Sequence, residues 1–98
     1  MDNSELIERY AILLLGSKEG VLPSIWHLQK EMFLLSNFRK DLKEDLNFEK
    51  HYSGPYSQVL DESIKNPLFF SDAFDFEDRK IFLSISGKKE FQKMFFQN

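Results

Sequence analysis

Ninety-eight residues with no cysteine and a formal charge of −3 amount to one domain's worth of chain. They exclude disulfides, thiolate chemistry and an overall Lys/Arg excess for gripping phosphates, and the longest apolar run, Tyr10 to Leu15, is far too short to span a bilayer. The opening Met1-Asp2-Asn3-Ser4-Glu5 is acidic and lacks a signal-peptide profile, so a cytoplasmic protein with no membrane association is expected.

In chain order, the first helix is expected over Ser4 to Leu15. An Asp2–Glu5 capping box opens it, a left-handed Gly16 stops it, and Leu6, Ile7, Tyr10, Leu13 and Leu14 form its apolar stripe. Ser17 to Gly20 reads as a loop and Val21-Leu22 as a very short strand. Pro23-Ser24 then opens a second helix, with Ile25, Leu28, Met32 and Leu35 at helical spacing, Trp26 and Phe33 widening the stripe, and an end near Ser36-Asn37. From Arg39 to Lys50 basic and acidic residues alternate. Phe38, Leu42 and Leu46 fit one face of a short exposed helix there, and a solvated loop fits the same composition.

The stretch His51 to Leu60 carries Gly54-Pro55 between tyrosines. Proline suits the first turn of a helix, so a helix of about ten residues is expected from Pro55 to the stop at Asn66-Pro67. Ser53 would cap it, with Tyr56, Val59, Leu60 and Ile64 buried. Beyond Pro67 the apolar period falls to two: Phe74 and Phe76, then Ile81, Leu83 and Ile85, alternate around the polar tip Glu77 to Lys80 and predict a hairpin. Ser84 or Ser86 caps a last helix with Phe91, Met94 and Phe95 on its apolar face. This order predicts a single domain over residues 1–98, mainly α with a small β-hairpin, of the winged-helix type: a helix-turn-helix plus wing.

Leu83-Ser84-Ile85-Ser86-Gly87 resembles the string by which many winged-helix regulators leave the second strand of the wing. Leu28-Gln29-Lys30 with Phe33-Leu34-Leu35, followed by Tyr52-Ser53-Gly54-Pro55-Tyr56-Ser57 and Leu60, resembles the Panacea (SocA-like) antitoxin-domain family, over roughly Leu22 to Phe91. That resemblance implies a helical, winged-helix-like module of toxin–antitoxin or phage-linked regulation, which binds a partner protein and in some members DNA. Tyr52, Gly54, Pro55, Tyr56 and Ser57, with the adjoining Gln58, are the matching turn and helix start. No catalytic residue comes with it. Many members are longer than this chain, and the charged Arg39 to Lys50 segment is not part of the pattern.

Two partner classes follow from the surface. For double-stranded DNA, Gln58 is suited to adenine, Ser57 or Tyr56 to a phosphate, and Lys65, Arg79 and Lys80 to the backbone. Asp61 and Glu62 on the same helix, and Asp72, Asp75, Glu77 and Asp78 in the wing, oppose phosphates. For a protein partner (a toxin, a regulator or a second copy in a homodimer) the aromatic residues count, eleven of them Phe. Trp26, Phe38, Phe69, Phe95 and Phe96 are the expected contacts, against the reading that phenylalanine merely replaces leucine in the core. His27 and His51 lack zinc-site spacing, the acidic series of the wing lacks a calcium loop's glycine, and no nucleophile triad or phosphate loop is present. A non-enzymatic protein without cofactor or metal is expected, with protein binding ahead of DNA binding.

Overall fold

Helix α1 (Ser4–Gly16) opens the computed structural model, which describes residues 3–96. The Asp2 half of the expected capping box lies outside the described residues. Asn3 is the residue before the helix; its amide donates to Asp45 (2.7 Å), and its backbone carbonyl accepts from Ile7. The buried stripe is Ile7, Ala11, Ile12 and Leu15, while the expected Leu6, Tyr10, Leu13 and Leu14 are half-buried on its flanks. Periodicity could not choose the face because the run Tyr10 to Leu15 is apolar all round. Gly16 is not the left-handed stop. It is helical, and the positive-φ residues are Glu19 and Gly20, whose N–H reaches back to the Leu15 carbonyl at 2.8 Å. The missing side chain at Gly16 instead admits the ring of Phe91 against the helix.

Strand β1 (Val21–Leu22) and helix α2 (Ile25–Ser36) follow as expected, with Leu28, Met32 and the polar Gln29 buried. The charged segment resolves into a helix, α3 (Lys40–Leu46), which buries Leu42 and Leu46. Phe38 does not share their face. It sits in the turn between the helices and is 85% exposed, because α3 begins only after Arg39 and the i, i+4 relation stops there.

The largest correction concerns the Gly-Pro stretch. Strand β2 (Glu49–His51) pairs antiparallel with β3 (Gly54–Tyr56), opposing Glu49 to Tyr56, Lys50 to Pro55 and His51 to Gly54. Pro55 therefore lies in a two-stranded ribbon, where an edge tolerates its missing N–H, and Gly54 takes the positive φ of 119° that the turn requires. Helix α4 (Gln58–Lys65) begins three residues later than expected. Its cap is Ser57, whose hydroxyl accepts from the Leu60 N–H at 3.0 Å, and not Ser53. Leu60 and Ile64 are buried, whereas Val59 is exposed.

Strands β4 (Phe74–Glu77) and β5 (Lys80–Leu83) form the predicted hairpin around the two-residue turn Asp78-Arg79, with Asp78 left-handed. β5 also pairs with β1, so the sheet order is β1-β5-β4. Ile85 does not continue the alternation. It belongs to α5 (Ile85–Phe96) and is exposed, because Ser84 ends the strand by capping that helix: its hydroxyl accepts from the Gly87 N–H at 3.0 Å and donates to the Asp72 carbonyl. Ser86 is exposed and takes no part. α1 packs against α2, α4, α5 and β5, so the core lies between these helices and the three-stranded sheet. The described residues thus form a small α+β domain of five helices and two antiparallel sheets.

Gly87 is buried where α5 crosses the chain before β4, and a Cβ there would lie 2.2 Å from the Ala73 carbonyl oxygen. Backbone cannot rotate away as a side chain can. Gly87→Ala is expected to lower stability by about 1–3 kcal/mol, seen as a lower urea midpoint, while the neighbouring Ser86→Ala stays within about 0.5 kcal/mol.

Candidate binding surfaces

The two sequence strings singled out above meet inside the protein. Gln29, fully buried on α2, donates from Nε2 to the Ser57 carbonyl (2.9 Å) and accepts the Ser57 N–H on Oε1 (2.7 Å). The Ser57 hydroxyl donates to the Leu46 carbonyl (2.6 Å) while capping α4. Ser57 is therefore fully committed and fully buried, which removes it as a phosphate contact. Around this junction the ring of Trp26 packs on Tyr56 (5.5 Å between centroids) and on His51 (6.1 Å). His51 is accordingly a strand residue held by aromatic neighbours. Tyr52 at the ribbon's turn is fully exposed.

The remaining expected DNA contacts are only partly brought together. Lys65 and Arg79 line one open cleft of about 510 Å³ with Trp26, Ser24, Ile25, Phe76 and Asp78. Lys80 is exposed at the start of β5 but is not part of that cleft's lining. Gln58 is exposed and donates to Glu62 at 3.2 Å. Lys65 pairs with Asp61 at 3.0 Å, whose hydrogen bond and charge raise the lysine pKa. Burial pushes the Tyr56 phenol up, and the Asp61 carboxylate adds to the shift. The cleft thus holds two cations and two aromatic rings, with Lys65 paired to Asp61 and the carboxylate Asp78 in the same wall.

A different surface forms where α1 meets the chain after α4. Glu8 is 1% exposed, and its carboxylate accepts the N–H groups of Leu68 (2.8 Å), Phe69 (3.1 Å) and Phe70 (2.9 Å). A buried carboxylate is tolerated only with such compensation. The loop it grips presents Leu68 (77% exposed) and Phe69 (52% exposed) to solvent, beside the exposed Val59 of α4. Phe70 turns inward under Arg9, whose guanidinium lies 5.5 Å from the ring centroid. A second apolar surface lies on α5, where Phe95 and Phe96 are both exposed and pack on one another. Phe95 was expected on the buried face; Phe91 and Met94 alone lie against the core.

Of the expected protein contacts, Phe38, Phe69, Phe95 and Phe96 are exposed, whereas Trp26 is half-buried in its aromatic cluster. Residue reading missed Leu68, Val59 and Glu8. Glu8 had a signal: a carboxylate flanked by Ile7, Ala11 and Ile12 on an apolar stripe. Among the described residues no group of three or more His, Asp and Glu is placed to hold a metal ion, and no helix is long and apolar enough to cross a membrane. His27 is exposed, with Nδ1 2.9 Å from the Ser24 hydroxyl. No protein-family model, no curated protein and no solved structure matches the chain.

Both buried polar contacts are open to test. Gln29→Leu strands the Ser57 N–H and carbonyl, at about 1–3 kcal/mol for each group left unpaired. Glu8→Gln, which replaces an acceptor oxygen by an NH₂ facing other N–H groups, is expected to cost about 1–3 kcal/mol. Tyr52→Ala, in the same string as Ser57 but outside the junction, is expected to move the urea midpoint by no more than about 0.5 kcal/mol.

Proposed function

We propose that this chain is a non-enzymatic, antitoxin-like binding module of winged-helix type that works through protein–protein contacts in the cytoplasm. The observation that carries the reading is the Glu8-held loop. An exposed Leu68-Phe69 pair on a backbone fixed by three hydrogen bonds to a buried carboxylate is a preorganised apolar anchor, and little conformational entropy is lost when it docks.

Two further features support the architecture and the family reading. The order α1, β1, α2, α4, β4, β5 with sheet order β1-β5-β4 supports the winged-helix reading, on which α2 and α4 would be the helix-turn-helix and β4–β5 the wing. α3 and the β2–β3 ribbon would then be an insertion between the two helices. The strings that carry the Panacea resemblance touch each other through Gln29 and Ser57, which gives a reason for their joint presence.

Duplex DNA is the second reading, favoured by the cleft that gathers Lys65 and Arg79 beside the start of α2. Ser57 has left that reading, and Asp61 and Asp78 weaken it.

Affinity capture from the native cell separates the two. One partner protein at equal stoichiometry is expected with the wild-type chain, and truncating an anchor pair of this kind costs about 2 kcal/mol or more, so Leu68→Ser/Phe69→Ser should lose it. No DNA shift is expected at about 0.15 M salt. A salt-sensitive, sequence-selective shift abolished by Lys65→Ala/Arg79→Ala, with capture indifferent to Leu68 and Phe69, would put the DNA reading first.

A further inference from the structure

A buried charge is ordinarily matched by an opposite one, and Glu8 is the exception in this protein. Its carboxylate is 1% exposed and accepts the N–H groups of Leu68, Phe69 and Phe70, yet among the described residues no cation pairs with it. The cations next along the two helices are already taken: Arg9 of α1 pairs with Glu5 and Lys65 of α4 with Asp61, both at 3.0 Å. The loop is thus organised around a negative charge that has dipoles for company and no counter-ion.

Glu8 also lines an open cleft of about 420 Å³ where α1, α4 and the loop meet. Leu68 and the exposed Val59 form its apolar wall, and Glu62 of α4 is its second carboxylate. Glu62 is exposed, accepts from the neutral Gln58 amide and forms no ion pair among the described residues. The rest of the lining is uncharged, and no Lys or Arg belongs to it. The sign of this cleft is therefore uniform: two carboxylates and no cation, beside the exposed Leu68-Phe69 pair.

Apolar wall and negative charge together narrow what fits. A calcium-like ion takes about six to eight oxygen ligands and gains nothing from Val59 and Leu68. A nucleic-acid strand sets phosphates against both carboxylates. An arginine side chain meets both halves of the cleft: its methylene stem covers apolar surface, while its guanidinium, more weakly hydrated than an ammonium, tolerates desolvation against a carboxylate. We propose that the cleft receives an arginine of the protein partner, so that the surface docking on Leu68 and Phe69 is apolar with a basic side chain beside it. This rests on the Leu68-Phe69 anchor and adds the chemistry of what it binds: the partner brings the counter-ion that Glu8 and Glu62 lack within the chain.

Two matched acetylated peptides, Leu-Arg-Leu-Arg and Leu-Glu-Leu-Glu, test it on the full chain, read from the backbone amide resonances of isotope-labelled protein. The arginine peptide is expected to shift the amides of Val59, Glu62, Leu68 and Phe69 with a Kd between about 0.1 and about 5 mM, and the glutamate peptide to leave them in place. Glu62→Gln should weaken the arginine peptide about two- to fivefold, and Glu62→Lys about tenfold or more. Glu77→Lys changes the net charge by the same amount but lies in the hairpin, and should weaken it less than about twofold. No shift below about 10 mM peptide, shifts centred on the hairpin, equal losses with Glu62→Lys and Glu77→Lys, or no preference for arginine over glutamate each overturn the proposal. Concentration-dependent shifts of the same amides without peptide would give the cleft to a second copy and overturn it too. A captured protein lost on Leu68→Ser/Phe69→Ser but kept on Glu62→Lys overturns the arginine and leaves the anchor standing. Capture indifferent to Leu68 and Phe69 overturns the anchor, with the peptide pair still deciding what the cleft takes.

Discussion

Everything in the middle third of this protein turns on one amide meeting one peptide unit. The Gln29 side chain satisfies both the N–H and the carbonyl of Ser57, and the Ser57 hydroxyl spans the end of α3 and the start of α4. Four hydrogen bonds at one buried residue join α2, α3, the β2–β3 ribbon and α4. None of these donors or acceptors can be released to water without stranding its partner, so the network holds as a unit. The direction of α4 is therefore set by a polar contact, and the apolar burial of Leu60 and Ile64 works within it. The start of α4 cannot shift relative to α2 without breaking the pair.

The interior this junction organises is aliphatic. Leu, Ile, Met and Ala fill it, and of eleven phenylalanines only Phe74 is buried, while Phe38, Phe69, Phe76, Phe95 and Phe96 are exposed. The rest sit at its margin, Phe33 edge-on to Phe48 at 5.2 Å and Phe91 against Gly16. Phenylalanine does not stand in for leucine here. A compact core of branched aliphatics is filled at this chain length, and flat rings are left to cover its seams or to face solvent.

What could be read from residues alone was local. α1, β1, α2, the β4–β5 hairpin and α5 announce themselves through period and punctuation, each within a dozen neighbouring positions. The ribbon did not. Glu49-Lys50-His51 is polar and exposed along its whole length, so no alternation marks it, and Pro55 has the same fixed φ at the first turn of a helix as in an edge strand. The choice between those two uses is made by Gln29, twenty-eight positions before Ser57. Glu8 was similarly half legible: its place on an apolar stripe could be read, but the amides it grips lie sixty positions away. The face of α1 was lost for a different reason, since its second half, Tyr10 to Leu15, is apolar on every side and buries whichever face its neighbours offer.

The polar side chains that anchor backbone in this small protein are not spread evenly. The buried Glu8 fixes the backbone of Leu68 and Phe69, and the half-buried Ser84 ties the start of α5, where Ile85 is exposed, to the chain entering β4. In both places a hydrogen-bonding side chain holds backbone next to apolar residues that gain nothing from the fold by being where they are. An exposed Leu or Phe costs the same hydration on a loose loop as on a rigid one. Rigidity changes only what happens when something covers it, because the ordering entropy has already been spent at folding. Loops whose only task is connection have no use for that arrangement and are usually left mobile. The coincidence of hydrogen-bonding anchors with exposed apolar residues therefore distinguishes these surfaces from idle ones, on grounds that neither composition nor burial supplies alone.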